Sequence, residues 1–143
     1  MKRNEEKRPK LWVDPFVLCR RIKGHYLVSI GTMDTILCHP REIFRLAIMA
    51  SAAAIIIAHN HPSGEPTPSE ADIKITRDLI RAGQLLKIEV LDYIIIGQPN
   101  HSSLRSLGYF YSQSFSVSEK SEAVLSFIGP LVTILASAQV RDL

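Results

Sequence analysis

Cysteine and tryptophan are scarce: two and one, respectively, in 143 residues. Eighteen residues separate Cys19 from Cys38. That is neither a zinc-knuckle spacing nor a disulfide framework. Both lie among apolar neighbours and read as buried free thiols, which fits a reducing, cytoplasmic setting. The basic start is followed by no apolar stretch of the kind a secretion leader needs. Residues 123–138 carry no charge, but sixteen residues are short for a membrane span, and Gly129-Pro130 interrupts them. Charge of one sign is also lacking. The net charge of +3 comes from the first ten residues, with five Lys/Arg against two Glu. The remainder holds 12 basic and 12 acidic residues, so no broad nucleic-acid surface is expected. The zincin pattern His-Glu-x-x-His is absent. The deaminase pair His-x-Glu and Pro-Cys-x-x-Cys is absent as well. No internal repeat is visible.

What is present centres on residues 52–72. Residues 52–58 form a short apolar run with Ile55, Ile56 and Ile57 together, the mark of a buried strand. His59 and His61 follow at its exit, two apart, so a strand would present both imidazoles on one side. The next stretch, Pro62-Ser63-Gly64-Glu65-Pro66-Thr67-Pro68, is too rich in proline for a helix or central strand. Ser69 then opens a helix, with Asp72 in its first turn. Two nitrogen donors and one carboxylate with a free fourth position describe a catalytic zinc site. Ser69-x-x-Asp72 is also a capping box, which by itself needs no metal. Asn60 faces away from the histidines and reads as a loop-fixing residue.

One helix is predicted from Pro40, a favourable first helical position. Its apolar stripe is Ile43, Phe44, Ala47, Ile48 and Ser51. A second helix spans residues 69–87, with a stripe of Ile75, Leu79, Ala82 and Leu86 widened by Ile73 and Leu85; Gly83 is expected to shorten it. Strands are predicted at 53–58 and 90–96, with shorter ones at 26–30 and around Ile36-Leu37. Asp14-Pro15 breaks the pattern of residues 11–22. Strand, helix and strand of these lengths give a crossover unit in an α/β domain with a mixed sheet. Chain length suits one domain.

His-x-His, seven residues, Ser, two residues and Asp is the pattern of the JAMM (JAB1/MPN+) metallopeptidases. The wider wording is His39-Pro-Arg-Glu-Ile-Phe, then Ala-Ile-Ile-Ile-Ala-His-Asn-His-Pro-Ser-Gly, then Leu91-Asp-Tyr-Ile-Ile-Ile-Gly97. It resembles the RadC branch of that group, over residues 27–111. The resemblance implies a single-domain JAB/MPN-like α/β fold with cytidine-deaminase-like layering, a mixed sheet flanked by helices. It implies one Zn²⁺ held by His59, His61 and Asp72, with Ser69 aiding the oxyanion. The implied reaction is hydrolysis of a peptide or isopeptide bond in a protein or peptide substrate. The family places a catalytic Glu on an early strand, and this chain has none there. Glu5 and Glu6 lie in the basic tail and Glu42 at a helix start. Asp14 sits nearest the expected place and is the candidate base. Two other readings stand beside the hydrolase: a metal-binding scaffold without turnover, and the DNA-repair association of the RadC name. Residues 1–26 read as a basic tail with a compressed strand region. Residues 112–143 read as a linker with an apolar appendage, packed on the domain or on a second copy as a homo-oligomer.

Overall fold

The computed structural model describes residues 10–16, 24–30 and 39–110. The short strand expected around Ile36-Leu37 and the appendage at 112–143 lie outside the described residues. The elements in order are β1 (Lys10–Phe16), β2 (Tyr26–Ile30), α1 (Pro40–Met49), β3 (Ala54–Asn60), α2 (Glu70–Leu86), β4 (Glu89–Ile96) and β5 (His101–Ser103). The strands form one mixed sheet in the order β2-β1-β3-β4-β5. Only β3 and β4 run parallel, joined through α2; the other neighbouring pairs are antiparallel. The α/β class with a mixed sheet is therefore the observed fold.

Residues 11–16 do not break at Asp14-Pro15; β1 runs through both. The reason lies in the pairing. The ladder to β2 ends at Val13, whereas the ladder to β3 continues through Pro15↔Ile55 and Phe16↔Ala54. Past Val13 one side of β1 has no partner in β2, and a residue without an N–H is tolerated there. A three-residue strand, β5, was not legible as a strand. Its first residues follow Gly97, and its ladder to β4 is only Ile94↔Ser103 to Ile96↔His101.

Pairing sets two faces on the central strands. Ile55 and Ile57 of β3 and Tyr93 and Ile95 of β4 share one face with Phe44, Ala47 and Leu79 of the helices. That layer is the core. Pro40 takes the first turn of α1, with Glu42 beside the helix N-terminus. Ile43, Phe44 and Ala47 are its buried stripe, but Ile48 is exposed. On α2, Leu79 is buried and Ile75 and Ala82 are partly so, while Leu85 is 84% exposed. The stripes read from periodicity are thus wider than the faces that are covered. In the last turns, Gly83 and Ala47 still face the core while Leu85 and Ile48 point away from it.

Gly83 does not shorten α2. It lets the helix end close against the next strand. Lys87 turns into the left-handed region at φ 57°, Ile88 N donates to Gly83 O at 2.9 Å, and Lys87 N to Gln84 O at 3.4 Å. This is a Schellman closure. A Cβ on Gly83 would collide with the Ile88 carbonyl oxygen and sit 3.2 Å from Val90 Cγ2 and 3.4 Å from Phe44 Cζ. Ala is normally the better helix residue by about 1 kcal/mol. Here Gly83→Ala is expected to destabilise instead, by about 1–3 kcal/mol for overpacking. A lowered denaturant midpoint at unchanged slope would show it; a raised midpoint would mean the closure has room.

Among the described residues no helix is long and apolar enough to cross a membrane.

Candidate metal centre

β3 carries His59 to the top of the core. It lies on the face of Ile55 and Ile57, and its ring centroid is 5.3 Å from that of Tyr93. The parallel pairing with β4 continues through Asn60↔Ile96, and His61 N then donates to Ile96 O at 3.0 Å. The two imidazoles stand 4.7 Å apart, edge to face. Asn60, between them in sequence, is buried on the other face, and its Oδ1 accepts from Lys10 N at 2.6 Å. It ties β3 to β1, so it fixes a strand pair where the sequence suggested a loop.

The proline-rich loop is clipped to the exit of β4. Gly64 N donates to His61 O at 3.0 Å, and Gln98 N donates to Gly64 O at 2.8 Å. Gly64 takes a φ of 79°, which suits glycine. This fold of the loop sets the Glu65 carbonyl 2.8 Å from His61 Nδ1. With Nδ1–H donating there, Nε2 keeps its lone pair for the site, the usual way a ligating histidine is oriented. His59 Nδ1 is buried and has no such partner among the described residues.

Asp72 arrives from the first turn of α2. Its Oδ2 accepts from Ser69 N at 2.8 Å and from Ser69 Oγ at 2.6 Å, and its own N donates to Ser69 Oγ at 3.2 Å. The capping box is complete. Asp72 Oδ1 lies 3.4 Å from His59 Nε2, and Oδ2 lies 3.3 Å from His61 Nε2. One ligand atom from each of the three residues fits within 4.8 Å of the others. Bonds of about 2.0–2.1 Å to a tetrahedral ion place neighbouring ligand atoms about 3.3 Å apart. The two His–Asp separations are near that value but run to different oxygens of Asp72, so one carboxylate oxygen serving both imidazoles needs a small adjustment of a group whose ligand atoms lie within 4.8 Å of one another. Borderline imidazole nitrogens with one carboxylate are a donor set suited to zinc and similar divalent ions. The residues present fit a metal ion.

Electrostatics agree with neutral imidazole at His59. Burial lowers its pKa from 6.5 to about 4, against the pull of Asp72. The hydrogen bond to Asp72 raises that of His61, outweighing its partial burial. Burial raises the Asp72 pKa, but the hydrogen bonds from His61 and Ser69 and the charge of His59 outweigh it. The result is about 2, against 3.8. These shifts set the contribution of the three residues to the acid response of the metal-free protein, to which the buried Asp92, with its raised pKa, adds in the opposite sense. His59 favours the folded state while neutral, so stability falls as pH drops from 6.5 through 4. Asp72 favours it while ionised, so a further loss follows as pH drops from 3.8 through 2. His61 acts oppositely: its contribution is full below 6.5 and disappears as pH rises through its raised folded value. Chemical denaturation of chelator-treated protein between pH 7 and 2 should give two descending steps. The Asp72→Asn variant should lack the lower one.

The sequence-predicted residues divide into two sets. His59, His61, Ser69 and Asp72 are brought together. Asp14 is placed by its backbone alone, which pairs with Ile56, three residues along β3 from His59, about 10 Å at the rise of a strand. The residue paired with His59 is Leu11. The Glu65 carbonyl and Gly97 shape the surroundings of His61, and sequence reasoning did not single them out. Glu65 acts through its backbone, to which no side-chain pattern points, and Gly97 acts through the space it leaves.

A mixed α/β sheet with a His-x-His strand exit and a helix-start Asp defines a small domain with a group that could hold a metal ion beside the helix N-terminus. The chain belongs to the RadC-like JAB domain family, whose model matches residues 16–109. It is 58% identical over 78 residues to a UPF0758 protein of Moorella thermoacetica, covering 54% of this chain and 34% of that one. It is 45% identical over 93 residues to one from Thermosynechococcus vestitus, covering 65% and 37%. A third, from Methanosarcina barkeri, is 43% identical over 112 residues, covering 76% and 47%. The chain spans between about a third and a half of the length of these relatives.

Proposed function

We propose that the chain is a zinc-dependent hydrolase of the JAMM type, cleaving a peptide or isopeptide bond. The observation that carries this reading is the convergence of His59, His61 and Asp72 at the strand exit, with one ligand atom of each within 4.8 Å of the others. A metal bound there would supply Lewis acidity and a water acidified toward neutral pH. The chain's own residues do the rest. Asp72 is held by Ser69 and aims its carboxylate at both imidazoles. His61 is oriented by the Glu65 carbonyl. In the described arrangement the Ser69 hydroxyl donates to Asp72. It therefore positions a ligand first and reaches a developing oxyanion only by releasing that bond.

A proton acceptor completes the reaction. Asp14 is the proposed base, and its register three residues from His59 favours the second reading, a metal-binding scaffold without turnover. Zinc content and amide hydrolysis measured together separate them. If Asp14 is the base, Asp14→Ala keeps its zinc and loses hydrolysis by about 10²–10⁴-fold. Unchanged turnover in that variant removes Asp14 from the mechanism. No turnover in the zinc-loaded wild type across an amide and isopeptide panel leaves the scaffold.

A further inference from the structure

The Leu91-Asp-Tyr-Ile-Ile-Ile-Gly97 wording contains an acid that the metal centre does not use. Asp92 lies on β4 and is fully buried. A carboxylate so placed needs donors on its oxygens. Its Oδ1 accepts from Tyr93 N at 2.7 Å and from Arg105 N at 3.1 Å, and its Oδ2 accepts from Ser103 Oγ at 2.6 Å. Ser103 Oγ accepts in turn from Ser106 N at 3.0 Å, and Arg105 Nη1 donates to Leu91 O at 2.7 Å. The element gripped in this way is β5. It has three residues, the short limit for a strand, and it lies at the edge of the sheet. Asp92 holds its far end at Ser103. Its near end follows the turn at 97–100, closed by Gly97 N donating to Asn100 O at 2.8 Å. The proline-rich loop is clipped to that same turn, through Gln98 N to Gly64 O, and the loop sets the Glu65 carbonyl on His61 Nδ1.

We propose that Asp92 is a positioning residue for the metal centre: it fixes β5 against β4, β5 closes the turn at 97–100, and the turn holds the loop that orients His61. The inference rests on the metal-binding reading of His59, His61 and Asp72. Without the carboxylate, the Ser103 hydroxyl and the N–H groups of Tyr93 and Arg105 lose their acceptor in a buried setting. A three-residue edge strand has few ladder bonds with which to keep its register once that grip is gone. An amide at position 92 has nearly the same shape. It keeps one acceptor oxygen for the two N–H groups and can donate to Ser103 Oγ.

The test compares full-length wild type, Asp92→Ala and Asp92→Asn with Gly83→Ala, a control that strains the fold at the C-terminal end of α2. Two quantities are read: zinc affinity by chelator competition, and, in metal-free protein, the nuclear magnetic resonance signal of the His61 Nδ1–H, which the Glu65 bond protects from exchange with water. Asp92→Ala should lose about 10-fold in zinc affinity, the low end of the range for a partner outside the ligands, and the His61 signal should broaden or vanish. Asp92→Asn should restore both, and Gly83→Ala should move neither. If Asp92→Ala does not fold, Ser103→Ala, which removes one donor only, is read in the same way. Unchanged affinity and an unchanged His61 signal in the folded variant overturn the proposal. So does an equal loss in Gly83→Ala, which would make the effect one of general stability. A wild type that takes up no zinc overturns the metal-binding reading, and the His61 signal, read without metal, still decides whether Asp92 acts on His61.

Discussion

His61→Ala and Asp72→Ala will each lower zinc content from about one equivalent per chain to below about 0.1 after dialysis. Elemental analysis of the purified proteins is the measurement. The size of the effect follows from the ligand count. Three protein donors are the minimum of a catalytic site, and removing one leaves two, with an uncompensated pocket. The two variants fail for different reasons. His61 is partly exposed, and its loss leaves the strand ladder intact, so the fold should survive with little change. Asp72 also closes the capping box on Ser69, and its loss should cost about a further 1 kcal/mol of helix-start stability. Zinc at about 100 times its dissociation constant should stabilise the wild type by about 2.7 kcal/mol and leave both variants unchanged. A wild type that binds no zinc even when supplied would reduce Ser69 and Asp72 to a helix cap. The search would then turn to a binding partner.

Gly97→Ala is the second large expectation, and it touches no ligand. A Cβ there would collide with the Gly64 carbonyl oxygen, and would lie 2.9 Å from Pro66 Cδ and 3.0 Å from Asn100 O. Two of those neighbours belong to the loop that carries the Glu65 carbonyl to His61 Nδ1. The loop must move outward, and the Gln98 N to Gly64 O bond lengthens with it. Loss of an orienting partner of a ligating histidine typically costs about 10–100-fold in metal affinity. Overpacking adds about 1–3 kcal/mol of destabilisation. Competition titration against a zinc chelator measures the first effect, and a denaturant melt of metal-free protein the second. Weakened stability with unchanged zinc affinity would show that His61 keeps its orientation without Glu65.

The grouping of His59, His61 and Asp72 was legible in the sequence because the signals that bring them together are local. Fourteen positions from His59 to Asp72 hold a strand exit, a proline-stiffened loop and a helix start, and each has its own short-range signal. The strand period of two, the exclusion of helix by proline and the Ser-x-x-Asp cap need no knowledge of the rest of the chain. The buried stripe of α1 and the central position of β3 followed from periodicity for the same reason.

Other features were decided by partners distant in sequence. β1 runs through Asp14-Pro15 because β3 pairs there while β2 has already ended. The same register places Asp14 opposite Ile56 and Leu11 opposite His59, and no count along the chain could have fixed it. Leu85 and Ile48 fit their apolar stripes and are exposed, because a stripe buries only where another element lies against it. Gly83 and Gly97 matter through the backbone that approaches them from elsewhere. The sequence by itself determined the donor set, its spacing and the elements that carry it, since those depend on residues within one turn or one strand of each other. Tertiary structure alone decided the pairing register, the loop's attachment to β4 and which apolar faces are covered. Those depend on long-range packing, which residue type at a single position does not encode.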